Sequence, residues 1–137
     1  MRYLKAMDIA VQKTEAPEFY PDPSGPMRLL RACPAYAPTP VREIGMPGGL
    51  KVTVKDETNR MGLGAFKALG GVYAVAQLII DRCEVVMGRR PRPEELTGPD
   101  VREIAGLMTF VCASAGNHGM AVAEGARIFG ANARIYL

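Results

Sequence analysis

Two short stretches of this chain bring together residue types that could do chemistry. The first is Gly64-Ala65-Phe66-Lys67-Ala68-Leu69-Gly70-Gly71. Lys67 is the one cation of this apolar run. On a helix its i+3 and i+4 neighbours would be Gly70 and Gly71, leaving the surface beside the amine bare. Two glycines inside a helix each cost about 1 kcal/mol relative to alanine. Either close packing or a flat ligand lying against the backbone would account for them. An amine at the edge of a buried stripe has its pKa lowered by desolvation, as covalent chemistry at a carbonyl requires. The plainer alternative is a lysine whose stem snorkels beside close-packed glycines.

The second stretch is Ser114-Ala115-Gly116-Asn117-His118-Gly119. Between a strand and a helix, such a turn offers unpaired N–H groups and the positive end of the helix dipole to a carboxylate or phosphate. Ser114 and Asn117 add side-chain donors. The alternative makes Asn117 a plain N-cap, the glycines tight-turn residues and His118 a structural hydrogen-bonder. Neither G-x-G-x-x-G nor Gly-Lys-Ser/Thr is present, so the dinucleotide and P-loop fingerprints are not met. No serine–acid or cysteine partner is in view for His118, which argues against a nucleophile triad.

Other classes are disfavoured by composition. Cys33, Cys83 and Cys112 are odd in number and lack paired spacing, and His118 is the single histidine, so we expect neither a metal site nor a disulfide framework. A reducing, cytoplasmic setting fits these thiols. Net charge is only +3, and the five arginines of residues 82–103 face five acids, so nucleic-acid binding is not expected. Residues 1–16 carry charges through their apolar positions and hold no signal-peptide core. Ile104 to Ala123 is uncharged and long enough to span a bilayer, but its Ser-Ala-Gly-Asn-His-Gly centre argues against a membrane segment.

The elements that would position these groups follow from periodicity. Residues 17–26, rich in proline, are expected to be neither helix nor central strand, and a second proline patch runs from Pro34 to Pro40. Met46 to Gly49 reads as a turn into an alternating strand, Leu50 to Lys55. A helix is expected from about Ala65 to Val86, with Phe66, Leu69, Tyr73, Ala76, Ile80 and Cys83 as its buried stripe and Gly88 at its end. Asp100 to Leu107 suits a further short helix. Thr109 to Ala113 reads as a strand buried on both faces, Asn117 to Phe129 as a helix closed by Gly130, and Ala133 to Leu137 as a second, parallel strand. The fold class is therefore α/β, built on a βαβ unit with a parallel sheet. The 137 residues, ending on an apolar strand, are read as the front portion of a larger protein.

Four motifs in order carry a resemblance: Tyr36-Ala37-Pro38-Thr39-Pro40, Val54-Lys55-Asp56-Glu57, the Gly62–Gly71 stretch and Ser114–Gly119. Together they resemble the N-terminal part of pyridoxal-phosphate enzymes of fold type II, the tryptophan-synthase-β-like family. Within it the similarity is to diaminopropionate ammonia-lyases, and next to threonine and serine dehydratases. The resemblance implies a division into an N-terminal extension (1–35), the start of a large cofactor domain (36–98) and the start of a small α/β domain (99–137). It implies that Lys67 holds pyridoxal phosphate as a Schiff base and then shuttles the α-proton, with Phe66 against the pyridine ring. Ser114, Gly116, Asn117 and His118 would grip the carboxylate of a small amino-acid substrate, with Asn117 also touching the cofactor's 3′-oxygen. The reaction implied is α,β-elimination of ammonia or water, giving a 2-oxo acid, by a homodimer of the full-length protein. Ala115 stands where the ammonia-lyases usually carry an aspartate thought to serve D-isomers, and Ala65 where the dehydratases usually carry a serine. The family's glycine-rich phosphate loop and its partner for the pyridine nitrogen do not occur in these residues, so the chain alone is expected to be inactive. The rival readings are a non-catalytic remnant of the fold and a small nucleotide-binding βαβ module.

Overall fold

The computed structural model describes residues 20–137. The absence of a signal-peptide core in residues 1–16, read from the sequence, lies outside them. The first element is a helix, α1 (Ser24–Ala32), so the expectation that residues 17–26 exclude helix is corrected at Ser24, Gly25 and Pro26. Pro26 sits in the first turn, where its missing N–H would have had no intrahelical partner. Asp22 anchors that turn by accepting hydrogen bonds from the Ser24 N–H (2.9 Å) and hydroxyl (3.0 Å). Leu29 and Leu30 are its buried residues.

Strands β1 (Val41–Gly45) and β2 (Lys51–Lys55) form an antiparallel hairpin with Val41 opposite Lys55 and Gly45 opposite Lys51. β2 matches the sequence expectation, whereas β1 was not foreseen. All five β1 residues are exposed, so no period-two pattern marks it.

Helix α2 (Lys67–Met87) follows a polar connection and ends at the left-handed Gly88. Its buried residues are Ala68, Gly71, Val72, Val75, Ala76, Ile79, Ile80 and Cys83. The expected stripe is thus rotated. Ala76, Ile80 and Cys83 belong to it, but Leu69 and Tyr73 are half-buried and Phe66 is 67% exposed. Helix α3 (Pro99–Gly106) leads to strand β3 (Thr109–Ala113), helix α4 (Asn117–Phe129) and strand β4 (Asn132–Tyr136). β3 and β4 are parallel, with Thr109 opposite Asn132 and Ala113 opposite Tyr136, so the expected βαβ unit is present.

Helix α4 lies on this two-stranded sheet, and α2 packs mainly on α4. The expected two-sided burial of β3 is therefore not found. Val111, on the face away from α4, is 65% exposed. A single core joins Leu29 and Cys33 to Val72, Val75 and Ile79 of α2, Val101 of α3 and Phe129 of α4. The arginines after α2 are taken up by nearby acids: Arg89 and Arg92 by Glu95, and Arg90 by Asp81 and Glu84. The three thiols are free, with Cys33 and Cys83 buried and Cys112 half-buried. Among the described residues no helix is long and apolar enough to cross a membrane, and no group of His, Cys, Asp and Glu is placed to hold a metal ion.

Candidate active site

Lys67 is the first residue of α2. Its side chain makes no hydrogen bond or ion pair among the described residues, and it lies exposed. The desolvated amine expected from the sequence is thus corrected: α4 covers the helix face at Gly71, and the Lys67 side stays open to solvent. Beside it runs a cleft of about 550 Å³ lined by Phe66, Lys67, Gly70, Gly71 and His118. The fold therefore brings His118, 51 positions further along the sequence, to the lysine.

The two glycines of this site do different things. A Cβ on Gly71 would lie 2.5 Å from the Cβ of Ala121 on α4, closer than two such atoms can approach. Gly71 is the packing residue, and the partner is a helix. A Cβ on Gly70 would meet nothing within 4 Å, so this position leaves bare backbone beside the amine.

The same division recurs in the second motif. Gly119 is buried, and a Cβ there would run into the Ser114 carbonyl oxygen and come within 2.9 Å of Ile135. Gly119 is what lets the first turn of α4 sit on the strand ends. Gly116 has open space instead. It is also the N-cap residue, in an extended conformation (φ −128°, ψ −156°), and no side chain caps the helix. The alternative of Asn117 as the cap is thereby corrected: Asn117 is already inside the first turn, and its amide is exposed. The Ser114 hydroxyl accepts a long bond (3.5 Å) from the Gly116 N–H. The first N–H groups of α4 thus point outward with no side-chain acceptor. Ser114 and Gly116 border a separate hollow of about 210 Å³ with Met120, Ile135 and Leu137, while His118 faces the lysine cleft. Asn117 lies between these two groups in sequence and lines neither concavity.

Sequence reasoning missed a buried polar cluster centred on Arg60, seven residues before Lys67. Arg60 is 4% exposed. Its Nε donates to Glu57 Oε2 (2.6 Å), one Nη to the Ala37 carbonyl (2.8 Å), and the other to Thr39 Oγ1 (2.7 Å) and Glu57 Oε1 (2.8 Å). The Thr39 hydroxyl donates to the same Glu57 Oε1 at 2.6 Å, and Lys55 Nζ donates to the Thr39 carbonyl. The guanidinium also sits over the Tyr36 ring, 5.7 Å from its centre. The hydrogen bonds from Arg60, and then from Thr39, hold the Glu57 carboxyl down to about 2. This cluster fastens two of the quoted motifs, residues 36–40 and 54–57, to each other. The Glu57/Arg60 spacing of three residues was its only local sequence signal.

With this geometry in view, comparison with known proteins is decisive. The family model described as "Pyridoxal-phosphate dependent enzyme" matches residues 32–137. The chain belongs to this family. Its members use pyridoxal phosphate, and their fold is the type II fold. Diaminopropionate ammonia-lyase of Escherichia coli is 39% identical over 107 residues, covering 74% of this chain and 25% of the relative. The Salmonella typhimurium protein of the same name is 36% identical over 108 residues, covering 76% and 26%. The crystal structure of the Escherichia coli diaminopropionate ammonia-lyase in complex with D-serine superposes with a TM-score of 0.61 at 35% identity, covering 82% of this chain and 30% of that one. Its apo form gives 0.58 at 37% identity, covering 82% and 32%. The chain thus spans about a quarter of the length of the curated relatives it matches.

The residues present fit the family's cofactor on two observations. The Lys67 amine has no competing partner among the described residues, and Gly70 leaves the room beside it that a side chain would fill.

Proposed function

We propose that this chain carries the lysine and the substrate-binding loop of a pyridoxal-phosphate dependent lyase. On this reading the reaction is the α,β-elimination of ammonia from a small amino acid, diaminopropionate or a close analogue. The observation that carries the reading is the exposed Lys67 amine at the start of α2, without a partner among the described residues, beside bare backbone at Gly70 and sharing one cleft with His118.

Bound pyridoxal phosphate would supply the electron sink for the pair left when the α-proton departs. Lys67 would hold the cofactor through Nζ and, once displaced by the substrate amine, take the α-proton on that same atom. The exposed Phe66 ring would flank the cofactor's ring. The uncapped start of α4, with Ser114, Gly116, Asn117 and His118, would bind the substrate carboxylate, and Asn117 would also serve the cofactor's 3′-oxygen. Loss of the β-substituent then leaves an enamino acid, which after release takes up water to give a 2-oxo acid and ammonia. Residues 36–98 would begin the large domain and residues 99–137 the small one, in a protein that acts as a homodimer when full length. Ala115 places no carboxylate in the loop, which favours an L-substrate and supports a dehydratase-type reaction, with water as the leaving group, as the second reading.

The test is intact mass after incubation with pyridoxal phosphate and borohydride, on the wild type and on Lys67→Ala. The expected result is a single adduct that disappears in the variant. Equal labelling of both proteins, or no adduct, would overturn the role given to Lys67 in this chain. Ammonia release from diaminopropionate by the 137-residue chain itself would overturn the expectation that it is inactive alone.

A further inference from the structure

We propose that Arg60 is a positioning residue for Lys67, its pinned guanidinium holding residues 61–66 on the one course that delivers the amine to the cleft. The inference rests on the role given above to Lys67.

Lys67 depends on this segment because it stands at the very start of α2. The bonds that close its turn run from the Ala68 N–H to the Ala65 carbonyl (3.1 Å) and from the Leu69 N–H to the Phe66 carbonyl (3.1 Å). Both acceptors lie in the segment that follows Arg60. The buried face of α2 fixes the helix from Ala68 onward, and in the segment before it Met61 and Ala65 are also buried.

The course of residues 61–66 is one the chain would not take unaided. Met61 has φ +50°, in the left-handed region, a conformation that is unfavourable for a non-glycine residue. Met61 keeps it while burying its side chain to 7% exposure. Gly64 is also left-handed (φ +66°), and a Cβ there would come 3.3 Å from the Thr58 carbonyl. The Leu63 N–H donates back to the Arg60 carbonyl at 2.9 Å. A strained turn persists where its surroundings over-determine it, and such turns gather at functional sites.

The burial of Met61 supplies part of that determination, and Arg60 supplies the polar anchor at the start of the segment. Four of its five N–H groups reach three residues on two separate segments, with Tyr36 beneath the guanidinium plane. The planar fork is what spans Ala37, Thr39 and Glu57 together; a lysine could hold the charge but not that geometry.

The experiment measures two quantities on the chain and on Arg60→Met, Glu57→Gln, the E57Q/R60M double variant and Arg60→Lys: the melting midpoint, and the fraction of Lys67 fixed by pyridoxal phosphate and borohydride. Each single neutral substitution should melt lower, because Glu57→Gln leaves the enclosed Arg60 charge without its carboxylate and Arg60→Met leaves Lys55, 3.9 Å away, as the ion-pair partner of Glu57, and the double variant should recover much of that loss. Labelling of Lys67 should nonetheless stay down by about tenfold or more in both Arg60→Met and the double variant. Arg60→Lys, which keeps the charge beside Glu57, should melt near the wild type and still label between wild type and Arg60→Met. If labelling instead follows the melting midpoint, with the double variant and Arg60→Lys labelling as the wild type does, Arg60 is merely structural and the proposal falls. A wild type without any Lys67-dependent adduct removes the role of Lys67 first, and this proposal with it, so the two failures are distinguishable.

Discussion

At the scale of single residues, each motif holds one glycine that packs and one that stays bare. Gly71 and Gly119 admit α4 at close range, while Gly70 and Gly116 leave open backbone. Adjacent glycines should therefore respond oppositely to the same change. Gly70→Ala is expected to raise the melting midpoint, since alanine loses less conformational entropy in a helix, by about 0.5–1 kcal/mol. Gly71→Ala should lower it, as its Cβ would overlap Ala121, with overpacking costing about 1–3 kcal/mol. Thermal melts of the two variants side by side check this, and equal shifts would refute the division of labour. The sequence displayed all of these glycines and the need for a reason behind them. It could not say which did which, because that depends on the side from which a distant helix arrives. Lys67 was legible as the odd cation of an apolar run. Its surroundings were not, since whether an amine is desolvated is decided by what covers it.

At the scale of elements, those with a local periodic or punctuating signal were readable and those without one were not. α4 and Gly130 fell where the pattern put them, because an apolar run closed by a glycine is a local signal. β1, exposed throughout, gave no period, and α1 hid behind prolines that its first turn accommodates. The polar connection between β2 and α2 shows no periodicity, yet it holds the Arg60 cluster. Its contacts are with residues about twenty positions earlier, a distance that no short-range pattern reaches.

Three carboxylates give these connections a pH signature. Glu57 is held at about 2 by Arg60 and Thr39, Asp56 at about 2 by the Thr58 hydroxyl and Arg42, and Glu95 at about 2 by Arg89 and the Arg92 N–H. All three lie below their ordinary values of 4.5 for glutamate and 3.8 for aspartate, so the ionised form is favoured by folding. Their stabilisation is fully present above those ordinary values and is lost as pH falls toward 2. The melting midpoint should be level from pH 7 to about 5 and decline below about 4.5. Glu57→Gln should melt below the wild type at pH 7 and converge with it near pH 2. Parallel pH curves for the two proteins would count against the Glu57 cluster as a source of the slope. Salt should trim the Asp56 and Glu95 contributions more than that of Glu57, because Arg42 and Arg89 stand in solvent while Arg60 does not.

At the scale of the whole molecule, α1, α2, α3 and α4 share one core, and the two stretches assigned to different domains meet in it along α2 and α4. Phe129 is among its largest fully buried side chains. Phe129→Ala is expected to destabilise the chain by about 3–5 kcal/mol. The loss should appear equally in the α2 and α4 amides by hydrogen exchange, as one cooperative unit requires. Protection lost in α4 alone would mean that the two stretches open separately. The βαβ arrangement and its parallel sense were legible from residues 109–137 alone, whereas the packing of α2 on α4 rather than on the sheet was not. That choice depends on Gly71 and Gly125 allowing two helices to approach, which is a property of the pair.

The β3–β4 pair has a practical consequence. Each strand keeps its outer row of backbone N–H and C=O groups without a partner strand among the described residues, and Val111 and Tyr136 stand exposed on the pair. Such a ribbon is a template on which other strands can register. In concentrated solution the isolated chain is therefore expected to lengthen by strand addition, and its colloidal behaviour, rather than its folding, would set the concentration at which it can be handled.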